Sequence, residues 1–335
     1  MSTPRVTVII PTYNRAAYLG EAIGSVLGQS LGDFELIVVD DGSTDDTPAL
    51  LGAIGDPRLR VLRREHGGIS ASLNAGLRAA RGRYVSRLDS DDVWRVELLQ
   101  TLVAVLDARP EIGMAYGKGQ AMDAGGRLLR HFQGMPPRFP DDGVRSLLYD
   151  DCICTIATVA RRACFDRVGG YDESLPANED WDMALRLAQQ YRFAFVDRVL
   201  AQYRWHDGNL TGPRSAGFEA VMQTRTAPLD KFFAQAALPA AIAAMRPVAY
   251  ENAYLFRGQR WLDAGASRRA RREFLAALRV SETRPRTALR IVWFAIVVRQ
   301  FGRTRPGAAL IARLTHLRRR WLREDAVVPS VPTGE

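Results

Sequence analysis

The sequence lacks a membrane-spanning run where one would be sought. The apolar stretch 291–298 is eight residues long and bracketed by Arg290 and Arg299, whereas a spanning helix needs about 20. Cysteine is scarce: Cys152, Cys154 and Cys164 are the only three, all within thirteen positions. An odd count with no second cluster is not a disulfide framework and points to reduced thiols in a reducing, cytoplasmic compartment. No histidine accompanies the C-x-C pair, which argues against zinc and for small buried hydrophobes. No targeting segment is visible before the first apolar strand. Lysine is missing from 246–325, where 19 arginines face six acids. That stretch carries +13, against +9 for the whole chain, so the remainder carries −4. The basic character belongs to the tail, which suits an anionic membrane, an acidic substrate or nucleic acid. Nucleic acid fits least, because the arginines lie outside the ordered loops described next.

What is present is a repeating strand-loop-helix pattern. Arg5 to Ile10 is a nearly continuous apolar run closed by Pro11, as for a buried parallel strand. Leu19, Ala22, Ile23, Val26 and Leu27 then recur at helical spacing. Phe34 to Val39 is a second strand, Leu59 to Arg63 a third and Tyr84 to Leu88 a fourth, with helices between them. Pro48 suits the first turn of the second helix. Such alternation predicts a doubly wound, mostly parallel α/β sheet. Its loops at 11–15, 40–43, 64–68 and 89–92 should gather on one rim, where such sheets bind ligands. Farther on, a helix is expected from Trp94 to Arg109. Strands are expected at 113–122, 127–132 and 153–160, a helix from Glu179, and two short strands ending at His206.

The sharpest signal is Leu88-Asp89-Ser90-Asp91-Asp92. On an extended backbone Asp89 and Asp91 leave on the same side, and two carboxylates that close invite a divalent cation shared with phosphates. Alone, the motif reads first as a solvated acidic turn capping the helix that starts near Trp94, and only its context favours the metal reading.

Taken in order, five segments resemble the inverting glycosyltransferases of family 2, which have a GT-A fold. They are Val8 to Arg15, Val38 to Asp45, Leu88 to Asp92, Gly170 to Glu173 with Glu179 to Asp182, and Tyr203 to His206 with Asn209 and Thr211. The resemblance covers about residues 4–215. It departs from the family pattern at Glu65-His66-Gly67-Gly68 and at Leu73 before Asn74, which bears on nucleotide contacts there.

The resemblance implies a nucleotide-diphosphate sugar donor, with uridine as the expected nucleoside because Asp41 would accept from the imide N–H of its base. Pro11, Thr12, Tyr13 and Arg15 would wrap the base, and Asp89 would face the ribose. Asp91 and His206 would hold Mn²⁺ or Mg²⁺. Asp180 would be the general base, with Glu179 the alternative, toward a saccharide or lipid-linked acceptor of the cell surface. The plainer readings are that Asp40 and Asp41 cap a helix, that Tyr13 packs, that His206 is a polar surface residue, and that Glu179 and Asp180 offset a helix dipole. A nucleotidyltransferase would need a Gly-rich basic loop after the first strand, which is missing. A non-catalytic nucleotide-sugar scaffold working through the basic tail would need no Asp180.

The expected organisation is a GT-A domain at 1–215, a basic helical region at 216–325 and a disordered tail at 326–335. The helical region contains one helix pair, through Trp261 and Ala270 to Leu278. A final helix at 308–323 interleaves leucines with arginines, as on an anionic membrane surface or as a solvated face over a packed stripe.

Overall fold

The computed structural model describes residues 3–212, 215 and 217–292. The chain divides into two compact units, Met1–Ala253 and Tyr254–Glu335.

The first unit opens with β1 (Val6–Thr12), α1 (Ala16–Leu27), β2 (Phe34–Asp40), α2 (Thr47–Gly52), β3 (Leu59–Arg63), α3 (Ile69–Ala79) and β4 (Tyr84–Arg87). β1 and β2 are buried at every position, because helices cover both faces of the sheet. Val6, Val8 and Ile10 pack on one side against Leu19, Ile23 and Val26 of α1. Ile9 turns to the other side, against Leu73 of α3, as the two-residue period of a strand requires. Gly76 lets α3 approach: a Cβ there would lie 2.5 Å from Cγ2 of Ile9. β1 continues through Pro11 and Thr12, opposite Val39 and Asp40, two residues farther than the apolar run predicts.

β5 (Val93–Trp94), α4 (Leu98–Ala108), β6 (Ile112–Asp123), β7 (Leu128–Gln133), α5 (Gly143–Tyr149), β8 (Thr158–Arg161), α6 (Arg162–Val168), α7 (Glu179–Ala188) and β9 (Arg192–Trp205) follow. The sheet order is β3-β2-β1-β4-β8-β6-β9-β5, with β7 beside β6. β1 to β4 are mutually parallel. β8 enters antiparallel to both β4 and β6, and β9 runs parallel to β6. The sheet is therefore mixed, with its longest pairings parallel. Chain order reverses between β1 and β4, so their carboxyl ends open one crevice.

Three local expectations need correction. The apolar run 153–160 is a 3-10 turn at Thr155–Ala157 followed by a four-residue strand; apolar composition reported its burial and not its conformation. The two short strands before His206 are one strand, β9. Asp197 and Arg198 interrupt its apolar pattern at an exposed bulge opposite Lys118, without ending the pairing. Trp94 belongs to β5, and the helix expected from it starts at Leu98.

The expected boundary at 215 also moves. The helices α8 (Phe218–Thr224), α9 (Ala227–Phe233) and α10 (Ala240–Ala243) and the start of α11 (Arg246–Asp263) belong to the first unit. Leu229, Phe232, Ala249 and Ala253 complete a core with Leu147, Trp181 and Leu185. The three cysteines are buried and unpaired, as expected.

The second unit contains the end of α11, α12 (Ser267–Val280) and α13 (Arg284–Val292). The expected helix pair is present. The helix expected at 308–323 and the tail at 326–335 lie outside the described residues. Among the described residues, no helix is long and apolar enough to cross a membrane.

Candidate active site

The four loops expected on one rim do meet. Asn14 adopts a left-handed conformation, φ 51°, which an Asn tolerates better than most side chains. Its Oδ1 accepts from the backbone N–H of Thr44 (2.8 Å) and Asp45 (3.3 Å), and its own N–H donates to Ser43 Oγ. The loop after β1 is thereby pinned to the loop after β2. Asp41 pins the next one. Its buried carboxylate accepts from Gly67 N–H and Gly68 N–H (2.8 Å for the latter) and pairs with Arg64 and His66 Nδ1. Asp41, expected to face a base, here organises the loop after β3. Tyr13 is exposed and stacks on His66, with ring centroids 4.1 Å apart. His66 is thus a site residue that the sequence left unassigned. Pro11 and Thr12 lie at the buried end of β1, and Thr12 Oγ1 has no hydrogen-bond partner among the described residues.

The acidic segment is a turn and not an extended strand: Asp92 N–H donates to Asp89 C=O at 3.1 Å. The three carboxylates consequently take different partners. Asp89 pairs with Arg87 at 2.8 Å. Burial pushes its pKa up, the Arg87 charge opposes that rise, and Asp91 adds to it. Asp91 accepts from His206 Nε2 at 2.9 Å and lies 3.6 Å from Arg15 Nε. Asp92 is buried, and its Oδ1 accepts from Arg204 N–H. Burial and its two acidic neighbours drive the Asp92 pKa well upward.

The pairing of β5 with β9 explains how a residue from the far end of the domain reaches this turn. Val93 lies opposite Gln202, which sets the end of β9 beside Asp91 and Asp92. Arg204, only 2% exposed, ties the two together by donating to Asp91 C=O and Ala124 C=O and pairing with Glu21. Asn209 bridges His206 N–H and Arg204 C=O. His206 stacks on Tyr18 and accepts from Gly208 N–H through Nδ1 at 3.1 Å. That bond leaves the ring proton on Nε2, facing Asp91; to hold a cation beside Asp91 the ring would give up the Gly208 bond, carry its proton on Nδ1 and present the Nε2 lone pair.

Asp91 and His206 are the two protein donors suited to a divalent cation. Among the described residues, no cluster of three metal-ligating side chains occurs. A carboxylate and an imidazole fit a Mg²⁺- or Mn²⁺-type ion that takes its remaining oxygens from phosphate and water.

On the other side of the crevice, α7 is preceded by Asn178, itself left-handed with φ 63°. The adjacent acids diverge. Glu179 is buried and reaches Arg87 at 3.1 Å. Burial and the Asp180 charge push it up to about 7 against the pull of Arg87. Asp180 is half-buried and has no cationic partner among the described residues. Its Oδ1 accepts from Trp181 N–H (2.8 Å), and its Oδ2 from the Thr155 hydroxyl (3.0 Å). It lines a small cavity with Arg87, Asp151, Thr155 and Tyr171. Asp151 pairs with Arg225 at 3.4 Å, and burial pushes it up to about 6.

Arg87, Thr155, Asp151 and Arg225 were missed by sequence reasoning. Only Arg87 left a trace, as a charge inside the apolar strand leading to the acidic turn. Asn74 holds the Gly170-Tyr171 turn from α3 by accepting from Tyr171 N–H (2.7 Å) and donating to its C=O (2.9 Å).

Two overlapping family models match this region: Glycosyl transferase family 2 over residues 7–167, and Glycosyltransferase like family 2 over 145–233. The chain belongs to glycosyl transferase family 2. Among relatives of the family, chondroitin synthase of Escherichia coli is 27% identical over 62% of this chain and 30% of its own length. The chain spans about a third of the length of the first curated relatives it matches. Staphylococcus aureus TarS 1-349 superposes with a TM-score of 0.60 at 20% identity, covering 88% of this chain and 91% of that one. TarS 1-349 has also been solved with UDP and with UDP-GlcNAc. The mannosyltransferase PcManGT of Pyrobaculum calidifontis, solved with GDP-Man and Mn²⁺, gives a TM-score of 0.60 at 21% identity over 92% of this chain and 83% of that one. At these identities the two structures establish the GT-A fold alone.

Proposed function

We infer that this family 2 glycosyltransferase is an inverting, metal-dependent enzyme. It takes a nucleotide-diphosphate sugar, preferentially uridine-linked, and transfers the sugar to a hydroxyl of a saccharide or lipid-linked acceptor. The setting is the cytoplasmic side of cell-surface polymer or glycolipid synthesis. The single observation that carries the reading is the divergence of Glu179 and Asp180. One acid is bound to a buried arginine, and the other is held by two neutral donors at a cavity wall.

The donor's base sits against Tyr13, and the Asp41-ordered loop brings His66 to the same place. Asp89, held by Arg87, is available to ribose hydroxyls. Asp91 and His206 would hold a divalent cation, which would supply Lewis-acid stabilisation to the diphosphate as negative charge grows on it. That TarS has been solved with UDP-GlcNAc and PcManGT with GDP-Man and Mn²⁺ supports a nucleotide-sugar donor and a divalent ion.

The acceptor hydroxyl approaches the anomeric carbon from the side opposite the diphosphate. Asp180 takes its proton as the new C–O bond forms and the bond to the diphosphate breaks, so one displacement inverts the centre. The Thr155 and Trp181 donors orient the carboxylate while leaving it a lone pair for that proton.

The test is calorimetric binding of UDP, GDP and dTDP with and without Mn²⁺, paired with turnover of Asp180→Asn. Metal-strengthened binding of one nucleotide that survives Asp180→Asn within a few-fold, with turnover lost, is expected. Unchanged turnover removes Asp180 as the base, and binding of none of the three removes the transferase reading.

A further inference from the structure

The described part of the second unit carries a basic helical face that the transfer chemistry does not use. On α12, Ala270, Glu273, Phe274 and Ala277 are buried. Arg268, Arg271, Arg272, Leu275 and Arg279 are all exposed, and their spacing of three and four residues makes them one stripe on the opposite side. Leu275, 43% exposed, stands in the middle of the four arginines. Among the described residues none of these four forms an ion pair. The one acid of α12, Glu273, is buried and pairs with Arg257 at 2.8 Å. On α13, Arg284 and Arg286 are exposed, as is Leu289 at 67%.

Four guanidinium groups around an apolar side chain repel one another and leave a leucine in water. Both costs are relieved by a surface that offers phosphates at the edge of an apolar layer. We propose that the outer face of α12 docks on an anionic phospholipid bilayer, with Arg268, Arg271, Arg272 and Arg279 on lipid phosphates and Leu275 at the boundary of headgroups and acyl chains. The surface is distinct from the 308–323 segment singled out in the sequence. The chain's own C-terminal stretch is a poor cover for it by charge, since 293–325 carries eight arginines and two acids. Nucleic acid would satisfy the arginines but offers nothing to Leu275.

The experiment is co-sedimentation of the full chain with phosphatidylcholine vesicles, with or without phosphatidylglycerol. It compares wild type, the fourfold variant R268Q/R271Q/R272Q/R279Q, its charge-preserving counterpart R268K/R271K/R272K/R279K, and L275N. Circular dichroism establishes that each variant is folded. Wild type should bind only the anionic vesicles. Each arginine near such a surface contributes about fivefold, so the glutamine variant should lose roughly 600-fold in affinity. The lysine variant should stay near wild type, and L275N should weaken binding. Undiminished vesicle binding by the glutamine variant, no vesicle binding by wild type, or tighter binding to duplex RNA than to anionic vesicles at the same salt each overturns the proposal.

Discussion

Arg87→Met is the substitution whose consequences the site defines best. The guanidinium is 7% exposed and bridges Asp89 at 2.8 Å and Glu179 at 3.1 Å. Methionine keeps an apolar stem of similar reach but leaves two carboxylates without their cation. Removing one partner of a buried ion pair typically costs 3–5 kcal/mol. The loss should depend on pH, and the sign follows from Glu179. Its ordinary value of 4.5 rises to about 7 in the fold, which corresponds to about 3 kcal/mol. The native state therefore binds the extra proton, and wild-type stability falls as pH rises from about 4.5 to about 7 and levels off above. Without Arg87, which holds that pKa down, the fall extends to higher pH. Urea unfolding of wild type and Arg87→Met should give a gap of about 3–5 kcal/mol at alkaline pH that narrows as the medium is acidified. Adding Glu179→Gln to Arg87→Met should recover part of the loss. A gap below about 1 kcal/mol at alkaline pH, or one that does not change with pH, would refute the argument that Arg87 neutralises a buried Glu179 and a part-buried Asp89.

Other substitutions probe other joints of the site. Thr155→Val removes the hydroxyl on Asp180 Oδ2 and should lower kcat about tenfold while nucleotide affinity stays unchanged; steady-state kinetics with calorimetry separates the two. Asn74→Ala strips Tyr171 of both backbone bonds and should cost about 1–3 kcal/mol in thermal or chemical unfolding. Gly76→Ala forces a Cβ to within 2.5 Å of Ile9 and should destabilise by about 1–3 kcal/mol, without changing the metal dependence of nucleotide binding. His206→Ala should weaken Mn²⁺-dependent nucleotide binding by about 10–100-fold, because Asp91 loses the second donor beside it. Calorimetry without metal should show little change.

The sequence by itself determined the alternation of strand and helix through Arg87, because apolar periodicity is local and both faces of the central strands are covered. It also carried the order of the acidic and aromatic motifs, and hence the rim on which they meet. Asp91, His206, Asp180 and Glu179 could each be named as candidates because those residues stand in short motifs. It did not carry the conformations of the 153–160 run or of β9, where burial and a charged bulge replaced the local pattern. The acidic turn is another such case, since an Asp92 to Asp89 backbone bond overrides the extended spacing of the two carboxylates. Which partner each acid takes was decided only by tertiary structure. Asp41 meets a loop some 25 residues away, Glu179 meets Arg87 across 92 positions, and Asp91 meets His206 across 115. Electrostatic pairing at that separation depends on strand order and register, and composition holds no trace of either.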